Sequence, residues 1–217
     1  ISVCLIPALT LGYRLVSDQL DPNPVETLLH DTGLWALRGL LLTLALTPLR
    51  KLTRWHSVVR FRRTLGLCTF FYAALHFSIY LVLDRQLDWL EISADLGKRP
   101  YIIVGFTALV LLSLLAATSF NRAIKWLGGA RWQQLHSLVY PAAALAVLHF
   151  AWLVKADRRE AWLYALLLLL LLLPRLWWQR QARLRATAGR LATRGCQVAA
   201  APGRKEFPIA VRIARGK

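Results

Sequence analysis

Methionine is absent from the 217 residues. A chain without it has no thioether to oxidise, which suits a protein working under oxidative stress. The chain opens at Ile1 rather than at an initiator, so its first apolar stretch is expected to be a shortened one. Cysteine is scarce, and Cys4, Cys68 and Cys196 form no CxxC and no metal-like spacing. Neither redox chemistry nor ion binding is expected of them. Cys4 and Cys68 lie in apolar stretches and read as small buried hydrophobes. Acids are few, 11 Asp and Glu against 28 Lys and Arg, and none falls inside the long apolar stretches. That counts against a proton relay or a proton-coupled carrier, which bring carboxylates into the membrane. A helical HExxH-like cluster is missing, and no serine has a paired acid, so hydrolytic and nucleophilic chemistry lack support.

What is present is apolar length. The chain is 57% hydrophobic with a mean hydropathy of +0.44. A helix needs about 20 apolar residues to cross a bilayer core, and six stretches approach or reach that length: 1–16, 33–48, 64–83, 101–119, 135–154 and 161–178. The fold expected is an all-α membrane bundle of about six transmembrane helices over residues 1–178. A basic cytoplasmic tail, partly disordered, follows over 179–217. The tail holds ten of the 28 Lys and Arg against Glu206, and its first part suits a helix lying on anionic headgroups. The run Leu166 to Leu173 is eight leucines long and reads as a lipid-facing surface without chemistry.

The net charge of +17 would suggest nucleic acid in a soluble protein, but here the cations sit in short loops and in the tail. The segment 17–31 holds Asp18, Asp21, Glu26 and Asp31 and no Lys or Arg, with Pro22 and Pro24 keeping it extended. The segment 49–63 holds six basic residues. The segment 84–100 is mildly acidic, and the segment after Ser119 carries Arg122, Lys125 and Arg131 without an acid. By the positive-inside rule the basic loops and both termini face the cytoplasm. The tryptophans fall near segment ends, as an interfacial belt requires.

Five histidines are present: His30, His56, His76, His136 and His149. His76, His136 and His149 lie inside expected spans, where an ionisable group is costly and marks function. His149 follows His136 by thirteen residues, roughly 20 Å along one helix, so the two would sit in opposite leaflets. Haem iron accepts neutral imidazole axially, and its apolar macrocycle suits a bundle interior. His30, at the outer mouth of the second segment, is a further candidate ligand, whereas His56 reads as surface. Arg38, inside the second segment, is a candidate partner for haem propionates. Gly66 opens the third segment to a close neighbour, and Pro141 is expected to bend the fifth segment and free a carbonyl.

The stretches His30-Asp31-Thr32-Gly33, Leu46-Thr47-Pro48-Leu49-Arg50, Arg62-Arg63-Thr64-Leu65-Gly66-Leu67 leading to Leu75-His76, Lys98-Arg99-Pro100-Tyr101, and Trp132-Gln133-Gln134-Leu135-His136 leading to His149 make a specific set. Over about residues 20–178 the chain resembles the ferric-reductase-like transmembrane domains, in the form that serves as haem-bearing membrane subunit of periplasmic methionine sulfoxide reductase systems. The resemblance implies a b-type haem, one or two in number, with His76, His136 and His149 at ligand positions. It also implies FMN, for whose phosphate Arg62, Arg63 and Arg131 are reasonable anchors. It further implies a multi-pass protein of the bacterial inner membrane. Its electrons would come from a cytoplasmic flavin reductase or from quinol and go to a periplasmic molybdopterin-containing methionine sulfoxide reductase, for repair of oxidised periplasmic proteins.

The expected mechanism is vectorial. An electron enters near His136 and leaves near the outer face, with His76 and His149 as the expected pair across segments three and five. Such a chain is an electron-transfer subunit, and the catalytic chemistry belongs to its partner. Two other readings stay open: a stand-alone ferric or quinone-linked transmembrane reductase, and a non-redox membrane transporter or scaffold whose histidines are structural.

Overall fold

A computed structural model of the chain describes residues 2–19, 22–54, 57, 60–154 and 158–199. His56 and Trp55 lie outside the described residues, as does the tail beyond Ala199. All elements among the described residues are helical. They are α1 (Ser2–Val16), α2 (Pro24–Thr53), α3 (Phe61–Ile79) continued by a π-helical turn (Tyr80–Asp84), α4 (Trp89–Lys98), α5 (Pro100–Ala117), α6 (Asn121–Leu127), α7 (Gly129–His136), α8 (Val139–Leu153) and α9 (Arg159–Ala199). Among the described residues, five stretches are long and apolar enough to cross a membrane: Pro24–Thr53, Phe61–Asp84, Pro100–Ala117, Gly129–Leu153 and Arg159–Trp178. The first apolar segment forms a shorter helix, apolar over Cys4–Val16. The protein is thus a multi-helix membrane bundle. The chain divides into two compact units, residues 1–174 and 175–217; the second contains the last part of α9.

Two boundaries differ from the sequence reading. Residues 24–31, read as extended loop, are the first two turns of α2. Asn23 caps them: its Oδ1 accepts from the Glu26 amide at 3.4 Å and its Nδ2 donates to Glu26 Oε2 at 3.0 Å. Pro24 takes the first helical position, where its missing N–H costs nothing. Glu26, His30 and Asp31 are therefore helical residues. Pro48, read as an end, lies inside the helix, which stops at Arg54 in a left-handed conformation (φ 57°). In the fifth segment, α7 and α8 part at Ser137–Leu138. Pro141 has no N–H for the Ser137 carbonyl, and the Tyr140 amide takes that carbonyl instead at 3.1 Å.

In the first unit, α2 packs chiefly on α3, and α5 on α8; α3 also meets α5, α2 meets α8, and α1 lies against α2 and α3. Lipid gives helices no hydrophobic reason to associate, so close fit must hold them. Ala142 and Ala143 of α8 are fully buried and let neighbouring helices approach closely, beside Leu37, Leu40, Leu41 and Leu44 of α2 and Leu112 and Leu115 of α5. At the α2–α3 crossing, a Cβ on Gly39 would come within 2.8 Å of Thr69 Oγ1. Thr69 is itself buried and donates back to the Leu65 carbonyl at 2.8 Å. Gly66, read as a point of close approach, has nothing within 4 Å of a built Cβ; the close approaches are at Gly33, Gly39 and Gly105.

The segment 84–100 hides a helix. After the π-helical turn, Gln86 (φ 46°) and Leu87 (φ 60°) are left-handed in succession, which for non-glycine residues costs about 1–3 kcal/mol each. Asp88 then caps α4 by accepting from the amides of Leu90 (2.8 Å) and Glu91 (3.3 Å). Asp95, buried, fastens α4 down. Arg85 Nε lies 2.8 Å from its Oδ2, Arg99 Nε 3.4 Å from its Oδ1, and the Tyr80 hydroxyl donates to it at 3.3 Å.

Candidate cofactor site

One cavity of about 1250 Å³ opens within the bundle, lined from α1, α2, α3, α5 and α8. Much of its lining is apolar, with Leu34, Leu37, Leu40, Ala73, Phe77, Phe106, Leu112 and Phe150 among it. Its polar lining comes from the helix ends beside the acidic loops, with Arg14, Glu26, His30, Asp31, Asp84, Arg85 and Arg99. Polar residues therefore gather at one end of the bundle.

His76 of α3 and His149 of α8 both line this cavity. Their ring centroids are 6.2 Å apart and their planes stand at 82°. Each ring is seated by one turn of a neighbouring helix. His76 Nδ1 lies 2.9 Å from the Leu29 carbonyl, and its ring occupies the space a Cβ on Gly33 would take, at 3.1 Å. His149 Nδ1 lies 2.7 Å from the Tyr101 carbonyl, and a Cβ on Gly105 would come within 2.7 Å of that nitrogen. Both seats share one plan: a carbonyl at position i and a glycine at i+4. A carbonyl can only accept, so each Nδ1 carries the proton and each Nε2 keeps its lone pair. Among the described residues neither Nε2 has a hydrogen-bond partner. A fixed tautomer with a backbone acceptor behind it is how proteins orient metal-binding imidazoles.

The other expected site residues are placed apart from this pair. His136 ends α7, stacked on Trp132 with centroids 4.0 Å apart. Its Nε2 is 3.3 Å from Thr118 Oγ1, and Trp132 Nε1 donates to the Thr118 carbonyl at 2.9 Å. His30 lines the cavity at its exposed mouth, with Nδ1 3.7 Å from Asp31 Oδ1. Arg38 does not line the cavity. It is exposed on the outside of α2, where its Nε donates to the Tyr164 hydroxyl at 2.9 Å and its guanidinium lies 5.7 Å from the Trp35 ring centre. Of the basic residues considered for phosphate, Arg63 donates to Asn121 Oδ1 at 2.7 Å and Arg131 is exposed.

Sequence reasoning missed Gly33, Gly105, Arg85, Asp95 and Arg99 as working residues. A signal existed for the glycines, since one inside an apolar helix costs about 1 kcal/mol relative to alanine and calls for a packing reason. At the mouth, burial pulls the Arg85 guanidinium down, and the carboxylates of Asp84 and Asp95 more than offset this, so its pKa lies above the ordinary value. Among the described residues no three His, Cys, Asp or Glu side chains come together as a cage for a bare ion.

A helical membrane bundle with two imidazoles facing one cavity defines a class, and comparison with known proteins agrees with it. Residues 32–147 match the model of the ferric reductase like transmembrane component. The chain belongs to that family. Curated relatives carry the name protein-methionine-sulfoxide reductase heme-binding subunit MsrQ. The chain is 49% identical to that of Polaromonas naphthalenivorans (strain CJ2), over 83% of this chain and 84% of the relative. It is 54% identical to that of Xanthomonas campestris pv. campestris (strain B100), over 85% and 86%, and 46% identical to that of Herminiimonas arsenicoxydans, over 85% and 87%.

Proposed function

We propose that the cavity between His76 and His149 holds a b-type haem and that the chain is the membrane electron-transfer subunit of a methionine sulfoxide reductase system. The observation that carries this is the opposition of the two rings. Imidazole nitrogens bind metals at about 2 Å, and the ring centre lies roughly 1 Å behind the nitrogen, so two imidazoles in line on one metal bring their centroids to about 6 Å apart. The rings stand at 6.2 Å. Two imidazoles would hold a haem iron, whose remaining positions a macrocycle fills. The apolar walls and the polar mouth suit a planar apolar group with carboxylates on one edge. The names of the relatives support the same reading.

When bound, haem supplies a one-electron iron couple inside the low-dielectric bundle. His76 and His149 would hold its iron. The carbonyls of Leu29 and Tyr101 hold their Nδ1 protons and fix both rings. Gly33 and Gly105 let α2 and α5 close behind the imidazoles, and the leucine and phenylalanine walls exclude water. The cavity mouth opens among the acidic loops, which the positive-inside rule assigns to the outer side of a bacterial inner membrane. A periplasmic molybdopterin-containing reductase is the acceptor this orientation serves, with a cytoplasmic flavin reductase or quinol as donor. FMN and a second haem at His136 follow from the family resemblance alone.

The test is the absorption spectrum of the purified protein supplied with haem. Low-spin haem b gives a Soret band that moves on dithionite reduction, with sharp α and β bands. A protein that stays colourless removes the reading and returns both histidines to helix packing.

A further inference from the structure

We propose that Arg99 is the anchor for a carboxylate of the bound macrocycle and that Asp95 positions it; this rests on the haem reading above. The charged residues of the cavity lie at the helix ends beside the acidic loops, and a dicarboxylate macrocycle would turn its carboxylates that way. Three arginines line that end: Arg14, Arg85 and Arg99. Arg85 is committed. Asp84, Asp95 and Glu91 lie 3.3, 2.8 and 3.6 Å from its nitrogens, and it holds α4 against the π-helical turn. Arg14 sits 4.0 Å from Asp31, on a wall that also carries Glu26 and would repel a carboxylate.

Arg99 differs from both. Its side chain is 47% exposed, and its one ion pair is through Nε, 3.4 Å from an Asp95 oxygen. Asp95 is already matched by Arg85 and by the Tyr80 hydroxyl. Both terminal nitrogens of Arg99 are without a partner among the described residues. An arginine held by Nε and open at its terminal nitrogens presents the fork that carboxylates prefer. Arg99 also stands immediately before α5, two residues ahead of Tyr101, whose carbonyl fixes His149. One short stretch of backbone therefore sets the distance between an iron ligand and the cation.

The experiment titrates the purified full chain, freed of haem, with haemin and with haemin dimethyl ester, whose carboxylates are blocked. Wild type should bind haemin on the order of ten- to a hundred-fold more tightly than the ester, the size of one charge-assisted hydrogen bond. Arg99→Gln should lose most of that preference while still forming the bis-imidazole spectrum, and Arg99→Lys should recover part of it. The midpoint potential of the haem should fall in Arg99→Gln, because removing a cation disfavours the added electron. Equal affinity of wild type for haemin and its ester overturns the proposal without any variant, and so does an undiminished preference in Arg99→Gln. If wild type binds neither compound, the haem reading itself fails, and the two failures are thereby distinguished.

Discussion

His149 fits so closely against Gly105 that a Cβ there would come within 2.7 Å of its Nδ1, the nitrogen that bonds the Tyr101 carbonyl. Gly105→Ala must therefore push the ring off its acceptor. The backbone cannot give way easily, since the same turn of α5 provides both groups. We expect loss of most of the haem, with overpacking of about 1–3 kcal/mol. Gly33→Ala meets His76 at 3.1 Å, so its effect should have the same sign and be smaller. Haem content and melting temperature, measured on both variants, check the order.

Removing an imidazole is a different perturbation from displacing it. His76→Ala and His149→Ala should each abolish the low-spin spectrum, because the proposed site needs both imidazoles to hold the iron. His136→Ala should leave that spectrum in place. His136 lies on Trp132 and beside Thr118, away from the cavity lining. Full haem retention in His76→Ala or His149→Ala would refute the pairing.

The glycines also separate packing from helix propensity. Gly39→Ala brings a Cβ to 2.8 Å from Thr69 Oγ1 at the α2–α3 crossing and should destabilise by about 1–3 kcal/mol. Gly66→Ala, on α3 and with nothing within 4 Å, should be neutral or more stable by about 0.5–1 kcal/mol, the helix gain of alanine over glycine. Denaturation in one detergent compares the two. Equal losses would mean that the α2–α3 contact is not set at Gly39.

Much of the bundle was legible because a bilayer imposes a length rule on every span. The histidines were legible because an ionisable group inside a span is conspicuous. What could not be read was direction. Arg38 sits in an apolar run, and nothing in that run tells which face of α2 it occupies; it turned out to meet Tyr164 outside the cavity. The first two turns of α2 were hidden by their polar residues, although Asn23-Pro24 with Glu26 is a start signal. Helix α4 was hidden because its charges pair with one another. Arg85, Asp95 and Arg99 look like a solvated loop until folding brings both arginines onto the Asp95 carboxylate.

That carboxylate supplies the last prediction. Asp95 joins α4 to the π-helical turn through Arg85 and to α5 through Arg99, with side-chain exposures of 11% for Asp95 and 17% for Arg85. Asp95→Asn keeps the shape and removes the charge, leaving Arg85 with only Asp84 and Glu91. The expected cost is on the order of 3 kcal/mol, felt first as faster amide exchange across residues 89–98. Alkali should not reproduce it. Arg85 has a pKa raised above its ordinary value by Asp84 and Asp95 despite burial, so its contribution is complete below the unfolded arginine range and is lost only as pH rises through the still higher folded value. Exchange across 89–98 should therefore stay flat between about pH 7 and pH 10 after correction for the intrinsic base-catalysed rate. Opening of α4 within that window would show that a weaker base than Arg85 holds Asp95.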